Sequence, residues 1–232
     1  MATDYIERIE SELESPRKMG SVSLIATADL PSRFGEFKIA AFLEEATGKE
    51  HSAIYRGRLD GGENIPCRVH SECHTGDVLG SLRCDCRSQL EKALTYIGQQ
   101  RAGVVLYLRQ EGRGIGLGNK IKAYRLQEIG LDTVEANEAL GFPAEAREYT
   151  IAADMLRLLG VKSVRLLSNN PHKFDGLKSE GISITGRLPI IIEPNQHNRH
   201  YLETKVSKMG HDLNGSLKVI DFKSPKILPR HS

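Results

Sequence analysis

The hydrophobic pattern changes period several times along the chain, and each change marks an element. Ile6, Ile9 and Leu13 recur at helical spacing among charges before Pro16 and Gly20, which predicts a short amphipathic helix and a loop, an N-terminal extension over residues 1–20. From Ser21 to Val69 the pattern shortens to runs such as VSLIA, FKIAAF and SAIYRG, broken by Pro31, Gly35, Gly48 and Gly61-Gly62, which is the pattern of strands and turns. From Ser88 onward, Leu90, Ala93, Leu94 and Ile97 share one helical face, and Gly103 then opens the apolar run VVLYL, read as a buried strand. A second helix carries Ile121, Tyr124, Leu126 and Ile129 and ends at Gly130; a third runs from about Ala146 to Leu159 and stops at Gly160. SVRLLS reads as another buried strand, followed by the turn at Asn169 to Pro171, a helix-like KFDGLKSEG and two strands, ISITG and LPIII. Strands alternating with helices predict an α/β fold, a mixed sheet with helices packed on it, in a single domain over residues 21–213. Residues 214–232, with Pro225 and Pro229 and little periodicity, are expected to be a loosely ordered tail.

Composition narrows the function. Thirty-two Lys and Arg against 30 Asp and Glu leave a formal charge of +2 across 232 residues, too little for a duplex-binding surface, so no nucleic-acid partner is expected, although a local anion site stays open. No stretch approaches the ~18 apolar residues of a membrane span, and the first residues lack the apolar core of a secretory signal. A cytoplasmic location and no membrane association are therefore expected. Thiols stay reduced in that compartment, so crowded cysteines point to metal or catalysis before disulfides.

All four cysteines fall between positions 67 and 86. Cys73, Cys84 and Cys86 form a C-x10-C-x-C array, and two thiolates on alternate residues can converge on one ion. Three protein ligands leave a fourth tetrahedral position for water, as in catalytic zinc sites; a closed structural site would take a fourth ligand, for which Cys67, His70 and His74 are available. Ordinary buried thiols are the alternative. His70-Ser71-Glu72 matches the H-x-E of zinc deaminases, but the P-C-x-x-C half of that signature is missing. Arg109 to Lys120 places four glycines on alternate positions directly after a predicted strand, with Arg109, Arg113, Lys120 and Lys122 nearby. Neither the dinucleotide fingerprint nor the P-loop pattern fits. Glycine backbone and basic charge beside a cysteine array nevertheless suit a nucleotide or phosphorylated substrate.

Five ordered motifs, RVHSEC from Arg68, SLRCDC from Ser81, RQEGRGIGLGNKIKAY from Arg109, DTVEAN from Asp132 and LLSNNPHK from Leu166, together resemble the GTP cyclohydrolase II family, and the resemblance covers about Ser21 to Leu213. It implies hydrolysis of GTP to formate, pyrophosphate and 2,5-diamino-6-(5-phosphoribosylamino)pyrimidin-4-one, the entry step of riboflavin biosynthesis. It further implies Zn2+ for ring opening, Mg2+ on the substrate phosphates and a homodimer. Carried over by position, zinc falls on Cys73, Cys84 and Cys86, leaving Cys67 as a small core residue. GTP contacts fall on Arg68, Val69, His70, Ser71 and Glu72, on Gln89, on Glu111, Gly112 and Arg113, and on Thr133, Ser168 and Lys173. The catalytic positions are Tyr124, Arg147 and Glu145. Arginine holds its proton far above neutrality, so Arg147 is read as stabilising charge at the α-phosphate. Glu145 stands where the family usually has Asp, keeping the carboxylate on a side chain one methylene longer. A variant that stops at a formamidopyrimidine nucleotide, and a non-catalytic nucleotide-binding protein, are the alternatives. Retention of the three cysteines, Tyr124 and Arg147 favours an enzyme.

Overall fold

A computed structural model describes residues 17–143 and 147–198. Its strands are β1 (Arg17–Met19), β2 (Val22–Ser32), β3 (Gly35–Glu44), β4 (Lys49–Arg56), β5 (Ile65–Ser71), β6 (Gly103–Leu108), β7 (Ser163–Leu167) and β8 (Ser183–Leu188). The helices are α1 (Cys86–Gly98), α2 (Gly116–Glu128), α3 (Thr133–Ala139), α4 (Thr150–Leu158) and α5 (Pro171–Ser179). All eight strands form one mixed sheet in the order β1-β2-β3-β4-β6-β5-β7-β8. The β1 to β4 meander is antiparallel and meets β6 antiparallel, whereas β6, β5, β7 and β8 run parallel. The expected α/β class is therefore present. Among the described residues no helix is long and apolar enough to cross a membrane.

Both faces of the sheet are covered at the central parallel strands β5, β6 and β7, as such strands require. On one face α4 and α5 set Met155, Leu156 and Leu177 against Phe42, Val69 and Leu106. On the other, Ala93, Tyr96 and Ile97 of α1 pack on Phe37, Val105, Leu188 and Ile190. β5 is buried along nearly its whole length, and its period of two divides it. Ile65, Cys67 and Val69 enter the first core, while Arg68 and His70 turn to the α1 face, where the cleft described below opens.

Several elements differ from the sequence reading. Arg17–Met19, expected to be loop, is an edge strand paired with β2 through a tight turn at Gly20, whose φ of 57° suits glycine. The helix expected from Ile6, Ile9 and Leu13 and the tail over 214–232 lie outside the described residues. The third expected helix begins at Thr150, which leaves Arg147 in the approach to it instead of on its first turn. Helix α3 was not anticipated, although a D-x-x-E capping box announces it: Asp132 Oδ1 accepts from the Val134 and Glu135 amides (2.8 and 3.0 Å), and Glu135 Oε2 accepts from the Asp132 amide (2.9 Å). Only one strand forms where ISITG and LPIII suggested two. Pro189 has no N–H to donate, so the ladder stops at Leu188, and Ile190 is instead held in the core by Asn169, which accepts from its amide (3.2 Å) and donates to its carbonyl (2.7 Å).

Candidate metal centre and nucleotide cleft

The chain leaves β5 through a single five-residue π turn, His74–Val78, crosses an exposed segment and enters α1 at Cys86. Asp77 holds this exit. Its buried Oδ2 accepts from the Cys73 amide (3.0 Å), from His70 Nε2 (3.0 Å) and from the Tyr107 hydroxyl (2.9 Å), and the His70 ring stacks on Tyr107 with centroids 5.4 Å apart. Gly76 faces the sulfurs so closely that a Cβ would lie 2.7 Å from Cys84 Sγ and 3.0 Å from Cys73 Sγ. The turn thus packs backbone against three converging thiols.

Cys73, Cys84 and Cys86 are free thiols whose Sγ atoms all lie within 4.8 Å of one another, and Cys73 and Cys84 are 3.7 Å apart. A tetrahedral ion with metal–sulfur bonds of ~2.3 Å needs sulfurs about 3.8 Å apart, so the spacing fits one divalent ion and is far from a disulfide. Cys73 is pulled strongly toward thiolate by hydrogen bonds from Cys84 and Cys86 and, next, by the Lys120 ammonium; the two donors are pushed up in consequence. No fourth Cys, His, Asp or Glu joins the cluster among the described residues. Of the candidate fourth ligands, His70 is committed to Asp77, and Cys67 lies fully buried in the opposite core, its thiol pushed up to about 12 by burial. The three-ligand arrangement opens into a cleft. Cys67→Ala should therefore leave metal content unchanged while costing roughly 1 kcal/mol of stability, as small core truncations do; metal loss measured by atomic absorption would return Cys67 to the site.

The cleft encloses ≈ 1220 Å³ including its open mouth, and β5, the segment leading into α1, α1 itself, the glycine loop, α2, α3 and the β7–α5 turn all contribute to its lining. Every expected site residue lines it except two. The Val69 side chain is in the opposite core, and only its carbonyl turns this way, accepting from Lys173 Nζ (2.6 Å). Glu145 lies outside the described residues. Arg68, Arg83, Arg113, Lys120, Arg147 and Lys173 outnumber Glu72, Asp85 and Glu111 in the lining, which suits a polyanion. Arg68 is buried, donates to the Leu167 carbonyl (2.9 Å) and to Gln89, and burial brings its guanidinium down to about 10, still charged at neutral pH. Arg68 Nε, His70 Nδ1, Ser71 Oγ and Asn170 Nδ2 line this cleft buried and without hydrogen-bond partners. Orphaned polar atoms concentrated in one cleft fit a ligand that would satisfy them.

The glycine loop is a tight left-handed turn. Gly112, Arg113 and Gly114 all have positive φ (63°, 63° and 96°), which only glycine adopts freely and which Arg113 takes at a cost. Glu111 ties the loop down: it accepts from the His74 amide (2.5 Å), from the Gly112 amide (2.6 Å) and from Lys120 Nζ (2.8 Å). Tyr124 Oη lies 3.2 Å from Thr75 Oγ1, with Arg83 over its ring at 4.7 Å, and burial pushes the phenol up. Gly76 and Asp77 are the contributors that sequence reading missed as site residues; Lys120 entered it only as positive charge beside the glycine segment, not as a neighbour of the cysteines.

A convergent three-cysteine centre at the floor of a basic cleft is the layout of a metal-dependent enzyme for a phosphorylated substrate. Residues 23–189 match the family model described as GTP cyclohydrolase II. The chain belongs to the GTP cyclohydrolase II family. It is similar to the GTP cyclohydrolase-2 of Tolumonas auensis, 54% identical over 195 residues that cover 84% of this chain and 99% of the relative, and to that of Proteus mirabilis, 56% identical over 189 residues, 82% and 95%. It is also 54% identical over 192 residues to the riboflavin biosynthesis protein RibBA of Endomicrobium trichonymphae, covering 83% of this chain but spanning about half, 48%, of that longer protein.

Proposed function

We propose that this chain hydrolyses GTP, opening the guanine imidazole ring and releasing formate and pyrophosphate, with Zn2+ held by Cys73, Cys84 and Cys86 and Mg2+ accompanying the triphosphate. The observation that carries the reading is the sulfur spacing of 3.7 Å, suited to one tetrahedral ion, at the floor of a cleft that also contains Tyr124 and Arg147. When bound, zinc supplies an acidified water for attack on a carbon electrophile.

The chain's own residues supply the rest. Arg68 and Gln89 offer a preset donor and acceptor pair deep in the cleft, and Lys173 and Arg113 add positive charge toward the phosphates. Tyr124 keeps its proton at neutral pH because burial raises its phenol, so it can donate to a ring nitrogen as the imidazole opens. Arg147, charged at any working pH, stabilises the developing negative charge at the α-phosphate. Tyr124→Phe should therefore lower kcat by about 10²- to 10⁴-fold, the usual worth of a positioned general acid, with KM for GTP nearly constant. A kcat within a few-fold of wild type would remove the phenol from the chemistry.

The deciding experiment incubates zinc-loaded protein with GTP and Mg2+ and identifies products by mass together with formate release. Formate, pyrophosphate and the diaminopyrimidine nucleotide are expected. A formamidopyrimidine accumulating without formate would select the variant that the Glu145 exchange allows, and untouched GTP would sink both enzymatic readings.

A further inference from the structure

Lys120 belongs to none of the residues assigned above to zinc or GTP, yet it touches the metal centre directly. From α2 its Nζ donates to Cys73 Sγ (3.1 Å) and to Glu111 Oε1 (2.8 Å) and lies 5.8 Å from the Tyr124 ring centroid. Its side chain is 12% exposed and that of Glu111 10%, so the pair is shielded from solvent screening. Glu111 also receives the His74 and Gly112 amides, which fixes the carboxylate that aims the ammonium. Two of the three ammonium hydrogens are thereby committed, which makes Lys120 a poor phosphate ligand. Its remaining role follows from charge: a dication among three thiolates carries a net negative charge, and an N–H···S bond withdraws electron density from the sulfur that accepts it.

We infer that Lys120 is a positioning residue of the metal centre, its ammonium, aimed by Glu111, orienting Cys73 as a ligand and offsetting the thiolate charge. The inference rests on the reading that the three cysteines hold a metal. Through Glu111 it also links that centre to the glycine loop, so the two halves of the cleft share one anchor.

The test compares the full chain with Lys120→Met, which keeps length but loses the charge and the donors, and Lys120→Arg, which keeps both. Zinc retention is read against a chromogenic chelator. Lys120→Met should surrender zinc at a chelator concentration at least about tenfold lower, the usual scale for outer contacts of a metal ligand, and Lys120→Arg should stay near wild type. In the cobalt-substituted proteins the thiolate-to-metal charge-transfer band should move to lower energy in Lys120→Met, because a sulfur without its hydrogen bond holds its electrons less tightly. Lys120→Gln serves the same comparison if Lys120→Met does not fold. Unchanged zinc retention and an unchanged cobalt spectrum would overturn the role, as would a rise in KM for GTP alone, which would mark Lys120 as a phosphate ligand. A wild-type chain that takes up no zinc would instead overturn the metal reading beneath it.

Discussion

Cys84→Ser is expected to empty the metal centre and reduce GTP ring opening to the uncatalysed background. Cys84 sits 3.7 Å from Cys73 at the edge of a three-sulfur cluster with no fourth protein ligand to compensate among the described residues. Serine shortens the reach and replaces a soft thiolate by a hydroxyl that does not ionise near neutrality, leaving two thiolates. Metal content measured after dialysis should fall close to zero, and turnover by at least about a thousandfold, a modest demand given accelerations of a millionfold or more in enzymes generally. The fold itself should persist, because the cysteines sit at a strand exit, a loop and a helix start and the two cores do not depend on Cys84 or Cys86. Full zinc occupancy in the variant would remove Cys84 from the site.

Gly76→Ala should be nearly as damaging, although it changes no ligand. The added methyl would meet Cys84 Sγ at 2.7 Å and Cys73 Sγ at 3.0 Å, below normal contact, and the Cys86 Cβ at 3.1 Å closes the third side. The sulfurs must then move apart, and metal affinity should fall by at least about a hundredfold, the upper end of what disturbed ligand support costs. Gly118→Ala makes the matched control. Gly118 lies inside α2 with nothing within 4 Å of a new Cβ, so alanine should be neutral or stabilise by about 0.5–1 kcal/mol. Zinc retained by Gly76→Ala to the same chelator concentration as Gly118→Ala would contradict the packing argument.

Local order proved readable where the apolar pattern is long, though not at the short elements β1 and α3, and long-range order did not. The β-branched and aromatic runs of β2 to β4, the apolar run of β6 and the glycines that end α2 and α4 are consequences of neighbouring residues, so the pattern exposes them. The order β4-β6-β5-β7 is not legible, because each pairing joins segments whose partners the chain does not announce. At the site, C-x10-C-x-C could be read because its three cysteines are close in sequence, whereas Cys67 is set aside in the sequence only by the resemblance, and its place in the opposite core follows from the period of two along β5. The alternating glycines promised only a pliable loop; that three consecutive residues, Arg113 among them, adopt left-handed angles depends on Glu111 pinning the turn. Gly76 and Asp77 gave no signal, since each acts through an approach that exists only once the π turn has formed.

The two halves of the cleft are closed by very different lengths of chain. The three clustered thiols span Cys73 to Cys86, while Arg68 reaches Leu167 and Lys173 reaches Val69 across separations of 99 and 104 residues. Closing a loop that long costs more entropy and time than closing one of about a dozen residues. During synthesis the three thiols can gather while the partners that finish the substrate side are still to be made. The centre is therefore an early, local event and the cleft a late, global one, so a chain halted before β7 and α5 would carry the ligands for an ion with no nucleotide site to serve.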